Sequence, residues 1–127
     1  MQEKVLYEYA VIRVVPRVER EEFLNVGIIL YCAKQHFLQS IFKIEEERLR
    51  AFSANIDCEE LHNYLETWQK ICKGGKNGGP IGSLAISARF RWLTATRSTI
   101  IQTSKVHPGY CTDAQEMLTT LFSELVL

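Results

Sequence analysis

The sequence predicts an α+β fold, in which helices pack on a mostly antiparallel sheet of about four strands in the order β-β-β-α-α-α-β-α. Two apolar runs near the N-terminus are rich in β-branched and aromatic residues and lack helical spacing, which is typical of strands. A later segment repeats apolar residues every three or four positions, which predicts a helix. Because 127 residues suit one hydrophobic core, we expect residues 1–127 to form a single α+β domain.

The first three strands are predicted at residues 5–15, 26–32 and 37–44. The first strand is apolar on both faces except at Glu8 and Arg13, and strands of this kind are usually central in a sheet and covered on both sides. The second and third strands are close enough along the chain to form an antiparallel hairpin. Gly27 lies inside the second strand, which indicates a β-bulge or a close approach of another backbone or a ligand.

Three helices are predicted between the third and fourth strands. Residues 45–52 carry acidic residues at the start and basic ones at the end, which complements the dipole of a short helix. The clearest helix begins after Asp57, which forms a capping-box pattern with Glu60, and it ends at Gly74. The glycine-rich segment 74–82 lacks the register of a P-loop and predicts a flexible connector.

The remaining elements are predicted from shorter patterns. A short amphipathic helix begins at Ser87, and a fourth strand covers residues 98–104. Residues 105–110, K-V-H-P-G-Y, predict a turn, and the last helix begins with T-D-A-Q. In the charged linker between the first two strands, we expect Phe23 and Leu24 to turn inward.

The composition argues against several classes of protein. The 15 Lys and Arg residues balance the 15 Asp and Glu residues, so nucleic acid is a less favoured partner. The 4 cysteines form no C-x-x-C pair and match no histidine spacing, so the sequence predicts neither a metal site nor a cofactor. The N-terminus lacks the pattern of a signal peptide, and no run reaches the ~18 apolar residues of a membrane span. We therefore expect a cytoplasmic protein without membrane contact.

Polar residues in apolar surroundings depart from the local pattern, and such departures often mark functional sites. They are Arg13 in the first strand, Arg89, Arg91 and Arg97 around Trp92, and His107 in the predicted turn. Arginine donates in a planar fork and stays charged, so several arginines together would hold a carboxylate, a phosphate or a nucleic-acid backbone.

The same residues also have structural interpretations, and the sequence leaves both open. The internal partners available to Arg13 are Glu8, Glu19 and Glu21. Arg89 and Arg97 would cap loops, and His107 would be an ordinary turn residue. Ser98 would act as a nucleophile only beside a base, and otherwise it is the first residue of a strand. No acid–base pair, triad or metal cluster follows from the spacing, so the sequence favours a protein without catalytic activity.

Four segments of the chain resemble a known family: Y-E-Y-A-V-I-R, E-R-E-E-F-L-N-V-G-I-I-L-Y, R-F-R-W-L-T-A-T-R-S-T-I-I-Q-T-S and V-H-P-G. The family is the bacterial domain of unknown function number three thousand and thirty-seven. The residues that match its pattern are Tyr7, Arg13, Phe23, Asn25, Gly27, Arg89, Trp92, Arg97, Ser98 and His107. Thr96 stands where the family often has a proline, which loosens the local turn. The resemblance implies a genetic context, because members tend to be encoded beside kinases similar to the HipA toxin kinases.

We therefore expect a small interaction protein, an antitoxin or accessory subunit that binds and regulates a HipA-like serine/threonine kinase. Its interface would contain Trp92, Phe90 and arginine, because these residue types dominate binding hot spots. The candidate binding residues are Arg13, Asn25, Arg89, Trp92, Arg97, Ser98 and His107. Self-association into a homo-oligomer also remains open.

Two other functions are alternatives. In the first, the arginines of a nucleic-acid- or nucleotide-binding module hold phosphates while aromatic side chains stack on bases. In the second, a small enzyme acts on a phosphorylated substrate with His107 or Ser98 in a catalytic role. A pocket that joins Arg13, Arg97 and His107 would favour the enzyme.

Overall fold

The computed structural model describes residues 3–127, and strand β1 (Val5–Val14) lies at its centre. Strand β2 (Leu24–Cys32) runs antiparallel along one side of β1, and β3 (Phe37–Phe42) pairs with the outer side of β2. Along the other side of β1, two short antiparallel strands follow one another: β4 (Ile101–Thr103) and β5 (His107–Cys111). The five-stranded sheet confirms the predicted fold class and the central position of the first strand.

The helices are α1 (Glu46–Phe52), α2 (Cys58–Lys73), the single turn α3 (Gly79–Gly82), α4 (Ile86–Leu93) and α5 (Ala114–Leu125). Short 3-10 turns lie at Val18–Arg20 and Lys76–Gly78. The Asp57 carboxylate accepts a hydrogen bond from the Glu60 N–H at 3.1 Å, so the predicted cap of α2 is confirmed. No helix within residues 3–127 is both long and apolar enough to cross a membrane.

Both faces of the sheet are covered by apolar layers. On one face, residues of β1, α2 and α4 belong to one apolar layer, which includes Ala10, Ile12, Val14, Leu65, Trp68, Phe90 and Leu93. On the other face α5 covers the sheet, and that layer includes Val11, Ile28, Leu30, Leu118, Leu121 and Phe122. Each large side chain buried in this way stabilises the fold by roughly 1.5–3 kcal/mol compared with the same side chain exposed to water.

A β-bulge in β2 shifts its register against β1. Gly27 pairs with Ile12, but Arg13 pairs with Asn25, so Val26 is the additional residue. Val26 therefore lies in the α2 layer, whereas Ile28 lies in the α5 layer. A Cβ atom on Gly27 would lie 2.5 Å from the Ile41 carbonyl oxygen, so the close backbone approach predicted there is confirmed.

The sheet is interrupted between β4 and β5, where a side chain replaces part of the backbone ladder. The Ser104 N–H donates to the Val11 carbonyl at 2.8 Å, but the Val11 N–H donates to the Ser104 hydroxyl at 2.8 Å. The backbone of β1 thus remains hydrogen-bonded where neither short strand reaches it.

Four expectations from the sequence differ from the structure. The predicted turn at residues 105–110 contains most of β5, and the strand predicted at residues 98–104 is limited to β4. β5 pairs with β1 alone among the described strands, and an edge strand tolerates Pro108, which has no N–H. Phe23 is 44% exposed instead of turning inward. The glycine-rich connector is closed by a 3.0 Å hydrogen bond from the Gly75 N–H to the Gly82 carbonyl.

Gly109 has a packing role in β5 that can be tested by substitution. It lies opposite Tyr7, and a Cβ atom at position 109 would lie 2.5 Å from the tyrosine ring. We expect Gly109→Ala to lower the free energy of unfolding by about 1–3 kcal/mol, because the ring has to move from its packed position. In a Tyr7→Leu background, Gly109→Ala should lower the free energy of unfolding by a smaller amount. An equal decrease in both backgrounds, measured by urea denaturation, would contradict this packing role.

Candidate functional site

Arg13 and Asn25 lie directly opposite each other on β1 and β2, on the face of the sheet that α5 covers. The Arg13 guanidinium carbon lies 3.9 Å from the centre of the Phe23 ring, which is cation–π geometry. The Asn25 amide donates to the carbonyl of Leu125, at the end of α5, at 3.1 Å. We call Arg13, Phe23, Asn25 and Leu125 the Arg13 cluster.

Two polar atoms of the Arg13 cluster are buried without a hydrogen-bond partner among the described residues: Arg13 Nε and Asn25 Oδ1. Within residues 3–127 the Arg13 side chain also forms no salt bridge. Its expected internal pairing was wrong, because Glu8 pairs with Arg91 at 2.8 Å and Glu19 pairs with Arg17 at 2.9 Å. Burial lowers the pKa of Arg13 from its ordinary value, since desolvation disfavours the charged form.

The Arg97 guanidinium lies near two tryptophan rings. Its guanidinium carbon lies 4.9 Å from the Trp92 ring centre and 5.5 Å from that of Trp68, and its Nη2 donates to the Trp92 carbonyl at 2.5 Å. Trp92 is 41% exposed, whereas Trp68 is buried. The next residue, Ser98, is exposed in the connection between α4 and β4 and does not begin a strand.

Arg89 stabilises the C-terminal end of α2. Its Nη1 donates to the carbonyls of Ile71 and Cys72 at 2.9 and 2.7 Å, and its Nε donates to the Leu84 carbonyl at 3.0 Å. The last carbonyls of a helix lack a partner within that helix, so the contacts with Ile71 and Cys72 favour a capping role for Arg89. Phe90 is fully buried, so the expectation that it forms part of an interface was wrong.

The structure does not bring the candidate residues into one site. His107 is exposed at the start of β5, and its ring contacts that of Tyr9 in a tilted arrangement with ring centres 5.3 Å apart. Among the described residues, those lining the cleft beside Arg97 include neither Arg13 nor His107. The sequence missed one charged residue of that cleft, Lys105, because it fell in the segment interpreted as a turn.

A second cleft, of about 490 Å³, lies between β3 and the end of α2 and is lined in part by Cys72, which carries a free thiol. Burial raises the pKa of this thiol to about 11, and the neighbouring Ser40 and Arg89 act in the opposite direction. The thiol is therefore neutral near pH 7 and poorly suited to act as a nucleophile.

Within residues 3–127, no three His, Cys, Asp or Glu side chains come together in a group that could hold a metal ion.

The capping role of Arg89 predicts a large loss of stability on substitution. Arg89→Gln removes charge-assisted hydrogen bonds to three carbonyls, so the free energy of unfolding should fall by roughly 2–4 kcal/mol. Arg91→Gln is the matched control on the same helix. It removes the ion pair between Arg91 and Glu8 at the surface and should lower the free energy of unfolding by less than about 1 kcal/mol. Equal losses in urea denaturation would rule out the capping role.

The buried thiol of Cys72 gives the stability a dependence on alkaline pH. Its pKa is raised from 9.0 in the unfolded chain to about 11 in the fold, so the unfolded state loses this proton first. The stabilisation is fully present below pH 9 and is lost as the pH rises toward about 11. Between pH 8 and pH 10.5, urea denaturation should therefore show a loss of roughly 2 kcal/mol that Cys72→Ala lacks. Parallel pH profiles for the two proteins would contradict this.

No curated protein and no solved structure matches the chain. A family model described as Protein of unknown function (DUF3037) matches residues 9–126. The matched region contains the whole Arg13 cluster, both tryptophans beside Arg97 and all five helices of the described chain. The chain therefore belongs to the DUF3037 family.

Proposed function

We propose that this chain is a non-catalytic interaction subunit that binds a protein partner through the Arg13 cluster. The observation that carries the proposal is the Arg13 guanidinium, which is half-buried on Phe23 without a carboxylate partner in the described chain. Burying a charged group destabilises the fold unless a hydrogen-bond acceptor pairs with it. A partner that supplies the acceptor would recover that cost.

The surroundings of Arg13 have the composition of an interface centre. Phe23 is 44% exposed, and Leu125 is 37% exposed. Ile100 is also partly exposed. Its carbonyl accepts a hydrogen bond from the Val15 N–H at 2.7 Å. Binding hot spots combine arginine with aromatic side chains in surroundings from which water is excluded. We infer that an acidic or carbonyl group of the partner meets Arg13 while apolar side chains cover the flanking residues.

The partner that we propose is a HipA-like serine/threonine kinase, which makes this chain a cytoplasmic antitoxin or accessory subunit. This identity rests on the resemblance to a family whose members tend to be encoded beside such kinases. Among the described residues, the cleft beside Arg97 includes neither Arg13 nor His107, which supports a binding role over a catalytic one. The balanced net charge supports a protein partner over nucleic acid.

Co-purification of the tagged protein from its own host, at physiological salt, tests the proposal. We expect a kinase-like protein at equal stoichiometry, identified by mass spectrometry, and no retained nucleic acid. Arg13→Glu and Phe23→Ala should each reduce its recovery about tenfold or more, because both remove a hot-spot contact.

Arg50→Glu is the control variant, since it reverses the same charge at an exposed residue of α1 that pairs with Glu46. It should retain the partner, and circular dichroism should show that all three variants are folded. Recovery of the wild-type chain alone would contradict the interaction function. Equal recovery with Arg13→Glu and Arg50→Glu would show that the partner binds elsewhere.

A further inference from the structure

We infer that the cleft beside Arg97 binds the phosphate group of a small ligand. The cleft has a volume of about 300 Å³ and lies between the α4–β4 connection and the segment that follows β4. This size is at the lower end for small-molecule sites and accommodates a phosphate with a small organic body. The inference concerns a second site, because the cleft shares no residue with the Arg13 cluster.

The charge of the cleft favours an anion. Among the described residues, its lining includes Arg97 and Lys105 and no carboxylate. Neither of these side chains forms a salt bridge within the part of the chain that the structure describes. Other arginines are already neutralised by neighbouring carboxylates: Arg17, Arg20, Arg50 and Arg91. Two unpaired cations match the charge of a phosphate monoester, which is close to −2 at pH 7.

Arg97 is already ordered for this role. The Trp92 and Trp68 rings flank its guanidinium, and one nitrogen, Nη2, is fixed on the Trp92 carbonyl. Among the described residues, its other guanidinium nitrogens have no hydrogen-bond acceptor, so they remain available to a ligand. An arginine that is held in place before binding loses little side-chain entropy when an anion arrives.

The walls of the cleft are also fixed by hydrogen bonds. The Thr94 hydroxyl donates to the Phe90 carbonyl at 2.8 Å, and the Thr103 hydroxyl donates to the Thr94 carbonyl at 3.4 Å. The Ser104 hydroxyl accepts from Val11 and donates to the Lys105 carbonyl at 2.9 Å. These bonds hold the two sides of the cleft together, so the two cations are presented on an ordered surface.

Titration with inorganic phosphate at constant ionic strength tests the inference. Tryptophan fluorescence, to which Trp92 and Trp68 beside Arg97 both contribute, and NMR shifts of the Thr96 and Lys105 amides should change and saturate. Acetate should bind at least about tenfold more weakly, since it carries one charge. AMP and phosphoserine are compared with phosphate, and tighter binding of either would identify the nucleotide or the amino acid as the better ligand.

Arg97→Gln and Lys105→Gln should each raise the dissociation constant for phosphate about tenfold or more, because each removes a charged donor. Lys105→Gln leaves the tryptophan contacts intact, so it remains informative if Arg97→Gln destabilises the fold. Arg50→Gln removes the same charge from α1 and should change the constant by less than about twofold. Absence of saturable binding in the wild type, or equal weakening by Lys105→Gln and Arg50→Gln, would overturn the inference. Neither result bears on partner binding by the Arg13 cluster.

Discussion

The structure depends on β1 being paired along both sides and covered on both faces. β2 occupies one side, β4 and β5 share the other, and helices cover both faces. A strand in this position has little room for polar side chains, because each has to find a partner or reach solvent. Glu8 meets Arg91 at the surface. Arg13 lies over the Phe23 ring, with Asn25 opposite it on β2 and Gln102 opposite it on β4. Unlike Glu8, it has no ion-pair partner among the described residues.

The sequence predicted the elements whose signals are local. The α2 helix followed from Asp57 and a regular apolar stripe, and the bulge was expected from a glycine inside a strand. β5 could not be predicted in this way, because Pro108 and Gly109 are typical turn residues. Their strand conformation depends on β1, which supplies the pairing and places Tyr7 against Gly109. The formation of β5 depends on its pairing with a strand that is distant in the chain, and a short stretch of sequence around β5 does not contain that information.

The arginines illustrate the same limit at the level of the site. Arg13, Arg89, Arg91 and Arg97 were similar candidates in the sequence, but each has a different environment in the fold. Arg89 caps a helix, Arg91 pairs with a carboxylate, and Arg97 is held by tryptophans. Most of these contacts join residues far apart in the chain, so charge and spacing alone could not separate a structural arginine from one available to a partner.

The interruption between β4 and β5 has a consequence for the solubility of the native chain. A sheet edge with a long row of free N–H and C=O groups is a template on which a second molecule can add a strand and begin aggregation. On this side the edge is divided into runs of three and five residues, separated by the segment in which Ser104 bonds to β1. Pro108 removes one donor from the longer run. The interruption, whose residues Ser104 and Lys105 also line the cleft beside Arg97, therefore makes this edge a poor template for unwanted strand addition.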